Sequence, residues 1–250
     1  MKRKPSKLFA ALFPSKKKKK DHAADIEKIR LTALKGDAEA QTMLGLMYHE
    51  GQGVPQDYVE GVNWIRRAAY YGIAVAQYNL GLAYQNGRGV AKDYVEAALW
   101  MKKAAEQGMA DAQFNLGVMY RNGQGVTQDH AKAAKWFRKA AEQGLALAQN
   151  NLGWMYTNGQ GVPQDNREAE KWYRQAAEQG DISAQVNLGM MYAYGQQGSQ
   201  DYVQAYMWLH LAAEQGVRGA SVNRDIIAGM MTPVQIARAQ KLAGEWEQKK

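Results

Sequence analysis

The stretch GQGVPQDY at residues 51–58 sets Gly51 and Gly53 on either side of one polar residue, a few positions before a helix start. Glycine turns of this kind can hold a phosphate on exposed backbone N–H groups. The stretch returns as GRGVAKDY at 87–94, GQGVTQDH at 123–130 and GQGVPQDN at 159–166, and in a worn form, GQQGSQDY, at 195–202. The period is 36 residues throughout. A phosphate site needs one loop, whereas five evenly spaced loops are the joints of a repeat array. None runs on into the Gly-Lys-Ser/Thr of a nucleotide-binding loop. Other chemistry is equally thin. The four histidines, His22, His49, His130 and His210, never fall three or four residues apart and form no His-Glu-x-x-His pair. The chain has no cysteine, which removes thiolate zinc sites, disulfides and a cysteine nucleophile. No Gly-x-Ser-x-Gly elbow occurs. The expectation is a protein with no catalytic residue, no cofactor and no metal.

The elements behind these loops are helical. Five full units run over 37–72, 73–108, 109–144, 145–180 and 181–216. In each, the columns of Ala40, Leu44 and Tyr48 step by four, with Gln41 and Gly45 beside them, which is one face of a helix over about 38–50. Gly51 stands where a C-terminal glycine stop belongs. Asp57, Asp93, Asp129, Asp165 and Asp201 have the character of N-caps, and Glu60, Glu96, Glu168 and Gln204 three residues on would complete a capping box; Lys132 breaks it in the third copy. The second helix carries the columns of Trp64 and Ala68-Ala69 and stops at Gly72 or its counterparts. The Gly45 column sits in mid-helix at a cost of about 1 kcal/mol per copy. That cost is offset if the missing side chain lets two helices approach closely, with a neighbouring tryptophan filling the space beside it. The Tyr and Trp columns then form interlocking aromatic layers. Residues 21–36 align with a second helix alone and read as an N-terminal cap. Residues 217–250 hold a degenerate repeat and a closing helix with Thr232 as N-cap, Pro233 at its first position and Gln235 at its third. Its apolar face is Ile236, Ala239, Ala243 and Trp246.

The formal charge of +8 belongs to one end. Residues 1–20 hold nine Lys or Arg and no acid, so the rest has 23 basic against 24 acidic residues. The near-neutral repeat body lacks the footprint of a nucleic-acid binder. The tail reads as a disordered, solvated arm. Its LFAALF patch at 8–13 also suits weak membrane association, with lysines meeting anionic lipid, or an unusual export signal. No apolar run reaches the roughly 18–20 residues of a membrane span. A cytoplasmic location is expected, with an exported or membrane-peripheral one as the alternative.

Units with Ala-Gln, Asn-Leu-Gly-x-x-Tyr, Gly-x-Gly-Val, an Asp-Tyr start and a Trp-…-Ala-Ala-…-Gly finish resemble Sel1-like repeats, relatives of tetratricopeptide helix pairs. The closing MTPVQIARAQKLAGEW is similar to the end of bacterial members. The resemblance implies an all-α, right-handed α/α solenoid of five helix-turn-helix repeats with helical caps, acting as a scaffold or adaptor for a protein or peptide partner. Some members with cysteine-stapled repeats are linked to β-lactam binding or hydrolysis, and this chain departs from them. In tetratricopeptide-like solenoids the first helices line an inner groove. Their outward columns here vary while the packing columns repeat. The groove candidates are Tyr78 and Phe114 in one column, Val118 and Trp154 in a second, and Arg121 in a third, with Asn79, Asn115, Asn151 and Asn187 as an amide ladder. Such a ladder could grip an extended peptide backbone or brace the neighbouring helix. The tail-mediated alternative makes the chain an exported or membrane-surface regulator.

Overall fold

The computed structural model describes residues 19–196 and 198–248. Among them are thirteen helices: α1 (Lys19–Leu34), α2 (Ala38–Glu50), α3 (Tyr58–Tyr70), α4 (Ala74–Asn86), α5 (Tyr94–Glu106), α6 (Ala110–Asn122), α7 (His130–Glu142), α8 (Ala146–Asn158), α9 (Asn166–Glu178), α10 (Ile182–Tyr194), α11 (Tyr202–Glu214), α12 (Arg218–Ala228) and α13 (Pro233–Gln248). The chain is an all-α helical-repeat solenoid in which α2, α4, α6, α8 and α10 are the first helices of the repeats and α3, α5, α7, α9 and α11 the second. It divides into two compact units, one ending at Gln128 and one starting at Asp129. The expectations placed on the basic tail lie outside the described residues, apart from the start of α1 at Lys19.

In the first unit each helix from α1 to α6 packs on the next. The alanines of the second helix make this possible: Ala68 and Ala69 are fully buried with Ala76, Leu80 and Ala83 of the following first helix, and Trp100 closes the same cluster. In the second unit the chain packs likewise from α7 to α12, and α13 folds back on α11. There Ala205, Leu209 and Ala212 meet Ala220, Ile227 and Ala239. Trp208 meets Trp246 edge-on at 6.2 Å. Thr232 closes a full capping box with Gln235, whose side chain accepts from the Thr232 N–H at 2.8 Å while its own N–H donates to the threonine hydroxyl.

The capping boxes expected inside the repeats are not closed. Asp57, Asp93 and Asp165 do cap their helices, accepting from the backbone N–H groups of the first turn. Their own N–H groups, however, donate to the carbonyls of Tyr48, Tyr84 and Tyr156 at the end of the preceding first helix. The glutamate three residues on is therefore released from the box. It turns to the tryptophan one turn later: Glu60, Glu96 and Glu168 accept from the indole Nε1 of Trp64, Trp100 and Trp172 at 2.7, 3.1 and 3.2 Å. Where Gln204 replaces the glutamate, the buried Trp208 Nε1 has no partner among the described residues. The aromatic layers are thus charged at their rims. Arg67, Lys103 and Lys139 lie over the faces of Trp64, Trp100 and Trp136 at 4.1–4.6 Å.

The mid-helix glycines do mark close approach, but the neighbour is not the tryptophan. A Cβ on Gly45 would sit 2.6 Å from Ile65 and 2.8 Å from the Gly61 carbonyl; on Gly153 it would meet the Tyr173 ring at 2.8 Å, and on Gly189 it would meet Leu209 at 2.8 Å. The contact falls one residue past the Trp column, within the same repeat.

Candidate functional site

The paired glycines of the loops are committed to the fold. Gly51, Gly87, Gly123, Gly159 and Gly195 are left-handed C-caps with φ between 62° and 69°. The N–H groups of Gly51 and Gln52 both return to the Met47 carbonyl, so the donors a phosphate would need are spent. The second glycine has another task. A Cβ on Gly89 would lie 2.1 Å from the Tyr58 carbonyl oxygen, on Gly125 1.8 Å from that of Tyr94, and on Gly161 2.2 Å from that of His130. Each loop therefore rests directly on the first residue of the preceding repeat's second helix.

The buried glutamines lock the repeats together. Gln41, Gln77, Gln113, Gln149 and Gln185 each donate to an alanine carbonyl eight residues back, at 3.1–3.3 Å. Their carbonyl oxygens accept from a glutamine thirty residues on: Gln107 to Gln77, Gln179 to Gln149 and Gln215 to Gln185. Position 71 holds tyrosine, and the buried Gln41 Oε1 has no partner among the described residues.

In the first unit, α4 and α6 carry six of the candidate residues. Tyr78, Asn79, Phe114, Asn115, Val118 and Arg121 are all half-buried. The Asn79 amide donates to its own helix at the Val75 carbonyl, 2.8 Å. The Asn115 amide donates to the Asp111 carbonyl at 3.0 Å and to the Tyr78 hydroxyl at 3.2 Å, so it bridges α6 to α4. Burial, then the Asp111 carboxylate, hold the Tyr78 hydroxyl above its usual pKa, against the lowering effect of the Asn115 bond. Phe114 and Val118 flank this polar bridge on α6, and Arg121 lies one turn further along. In the first repeat the equivalent columns are covered, because Thr42 and Leu46 are buried.

In the second unit, α8 and α10 carry the other three. Asn151 donates to the Leu147 carbonyl at 2.7 Å. Asn187 instead reaches across to α8 and donates to the Asn150 side-chain oxygen at 2.9 Å. Trp154 is the most open of the candidates, 38% exposed. The geometry thus draws in Asn150, which sequence reasoning left out; its place in the Tyr78 and Phe114 column was the available signal.

The second unit also has a wide cleft of about 580 Å³ between α7 and α9, lined by Arg138, Glu142, Tyr156, Glu168, Lys171 and Trp172. At the matching place in the first unit Tyr70 packs edge-on against Trp100 at 5.3 Å; Glu142 leaves the space open. Glu168 is engaged by Trp172 and Arg138 by the Tyr156 hydroxyl. The cleft brings together no pair of groups suited to acid–base or nucleophilic chemistry. One repeat later Arg174 pairs with Glu170 at 2.5 Å and with the Tyr192 hydroxyl. Burial and the Glu170 carboxylate push that hydroxyl far above its ordinary pKa. His49 packs edge-on to Tyr58, and His210 stacks on Tyr206. Among the described residues no three His, Asp or Glu side chains gather as a metal site, and no helix is long and apolar enough to cross a membrane.

A solenoid of Asp-capped helix pairs, pinned by loop glycines and cross-linked by buried glutamines, is a helical-repeat protein in the tetratricopeptide manner. Its sequence places it more closely: the Sel1 repeat matches at 38–70, 74–109, 110–145, 146–181 and 182–217, and the chain belongs to the Sel1 repeat family. Two of the solved structures similar to it show this. One is a protective antigen present in uropathogenic Escherichia coli strains, displaying an SLR fold, at 36% identity and a TM-score of 0.68 over 90% of this chain and 55% of that one. The chain therefore spans about half the length of that antigen. The other is a Sel1 repeat protein from Oxalobacter formigenes, at 36% identity and a TM-score of 0.69 over 84% of this chain and 88% of that one. A search of curated proteins returned no match.

Proposed function

We propose that this chain is a protein-interaction scaffold whose first helices present the binding face, and that it is not an enzyme. Sel1 repeat proteins are generally interaction scaffolds and typically non-enzymatic. The observation that carries the reading is the contrast between columns. Ala, Gln, Leu-Gly and Trp recur because they pack, while the outward columns of the first helices change from copy to copy and hold Tyr78, Phe114, Val118, Arg121 and Trp154. Aromatic and arginine side chains are the usual anchors of interfaces. Side chains already half-buried in the free protein lose little rotamer freedom on binding, which favours affinity. In this reading the asparagine bridges hold the first helices at fixed spacing and leave their remaining donors and acceptors for a partner's backbone.

The test is capture of partners from extracts of the source cells on the full chain, followed by mass spectrometry. Phe114→Ala with Arg121→Glu in the first unit, and Trp154→Ala in the second, are expected to reduce recovery of a specific partner at least tenfold. Leu99→Asp, on the opposite series of helices, is expected to leave it unchanged. Loss with Leu99→Asp and retention with the others would place the interface on the second helices and overturn the reading.

A further inference from the structure

The exposed large apolar side chains are distributed differently in the two units. In the first they lie on α1 and along the second-helix series: Leu31, Leu34, Val59, Tyr70, Val95 and Leu99. In the second most lie on the first-helix series and its end: Leu147 and Trp154 on α8, Tyr194 on α10, and Val222 and Ile226 on α12, with Met230 just beyond; Val234 on α13 is the exception. These are equivalent columns. Val222 falls where Asn150 and Val186 fall, Ile226 where Trp154 and Met190 fall, and Met230 where Tyr194 falls. Neither α8 nor α10 contains a charged residue. Of the charges of α12, Arg224 and Asp225 are paired with each other at 2.8 Å, and Arg218 stands exposed at the helix start, one turn before Val222.

The Asn187–Asn150 amide pair crosses this apolar strip. An amide has two donors and an acceptor with two lone pairs. The single bond between the two side chains leaves the Asn150 NH2 and the Asn187 carbonyl oxygen without a further partner among the described residues. A free donor and a free acceptor, one on each partner of this bonded pair, suit the N–H and C=O of one residue of an extended peptide, which point to the same side. The matching bridge in the first unit cannot offer this, because Tyr78 supplies a hydroxyl in place of the amide.

We propose, resting on the interaction reading above, that the first-helix face of the second unit docks an uncharged, apolar peptide segment of a protein partner. The segment lies extended, with the N–H and C=O of one residue on the Asn150–Asn187 pair and apolar side chains on Trp154 to one side and on Val222 and Ile226 to the other. The absence of charge decides the partner's chemistry. A Lys, Arg, Asp or Glu brought onto the α8 and α10 part of this strip would lose water and meet no charge on either helix, a cost that outweighs the gain from the apolar contacts beside it. The amide pair decides that the occupant is a peptide and not an acyl chain. Hydrocarbon laid across it would strip water from two amides and return no hydrogen bond.

The probe is a library of blocked nonapeptides, N-acetylated and C-amidated, randomised over Leu, Ile, Val, Phe, Ala, Ser and Gly. A matched library has Asp or Lys at every second position. Binding to the full-length chain is read by selective enrichment and by the change in tryptophan emission, with Trp154→Phe as the variant that removes the signal. The uncharged library is expected to yield binders and the charged library none. Asn150→Asp keeps an acceptor for Asn187 but loses the NH2 and adds a charge; Ile226→Asp adds a charge at an exposed position. Each is expected to weaken the selected peptide at least tenfold with melting unchanged within a degree or two, as is N-methylation of the peptide's central amides. Equal binding of the charged library, or parent-like affinity in both variants, overturns the proposal. So does binding to neutral phosphatidylcholine vesicles with the same dependence on Ile226. A self-associated parent that Ile226→Asp dissociates, without peptide present, would make the occupant a second copy and overturns it too. If partner capture fails with the Phe114 and Arg121 variants while Asn150→Asp and Ile226→Asp capture normally, this inference falls and the interaction reading stands. Capture indifferent to all of them removes the interaction reading itself.

Discussion

Gln41 shows how much one side chain can depend on a residue thirty positions away. Its carbonyl oxygen is buried and unpaired because Tyr71 stands where Gln107, Gln179 and Gln215 supply a donor in later repeats. Tyr71 itself is 69% exposed, so little packing is lost if it is changed. Tyr71→Gln is expected to complete the lock and stabilise the protein by about 1 kcal/mol, the usual cost of a buried unmade bond. At this chain length that is a rise of about 2–4 °C in melting temperature. Thermal denaturation followed by circular dichroism checks it, and an unchanged or lowered melt would show that the orphan oxygen costs nothing. The signal was in the sequence, since the Gln column and the Glu-Gln-Gly helix ends recur together. Only the fold shows that the two glutamines touch.

The loop between paired helices separates two duties that look alike in sequence. Gly123 and Gly125 both have left-handed φ, 67° and 70°. A Cβ on Gly123 would approach Gln128 at its Cβ, 3.3 Å, and its backbone N, 3.5 Å, a tight but tolerable contact, whereas on Gly125 it would strike the Tyr94 carbonyl at 1.8 Å. Gly123→Ala is therefore expected to cost about 1 kcal/mol, the backbone penalty of a left-handed residue. Gly125→Ala must also move α5 against the loop and is expected to cost at least twice as much, in the upper range of single substitutions at about 3 kcal/mol or more. Urea unfolding of the two variants decides between the assignments, and equal losses would mean that both glycines serve the turn alone. The same close contact explains why the second glycine recurs in the first four copies, as Gly53, Gly89, Gly125 and Gly161.

Across the whole chain, repetition predicts modularity. In a repeat array each unit touches only its neighbours, so stability is a sum of repeat and interface contributions. Removing residues 73–108 joins Gly72 to Met109 and keeps every column in phase. The product is expected to be folded and helical, with a cooperative melt at lower temperature than the parent. Removing 73–90 instead takes half a period and sets first-helix columns against the wrong partners. Circular dichroism and size-exclusion chromatography separate the outcomes; an unfolded 73–108 deletion would mean that long-range packing, not the repeat, holds the chain.

Helix positions and the Asp N-caps were legible in the residues because a 36-residue period repeats the signals, and local propensity and glycine stops agree with them. Ala38–Glu50 was read to the residue for that reason. The candidates Tyr78, Phe114 and Trp154 were legible as varying columns, but their surroundings were not. Whether Asn115 serves its own helix or the Tyr78 hydroxyl, and that Asn187 chooses Asn150, depends on the distance between successive first helices. The release of Glu60 from its capping box to the Trp64 indole depends on a tyrosine carbonyl nine residues before the cap. Such choices are made between groups far apart in the chain, where a hydrogen bond goes to whichever partner packing brings within about 3 Å, and no periodicity along the sequence encodes that distance.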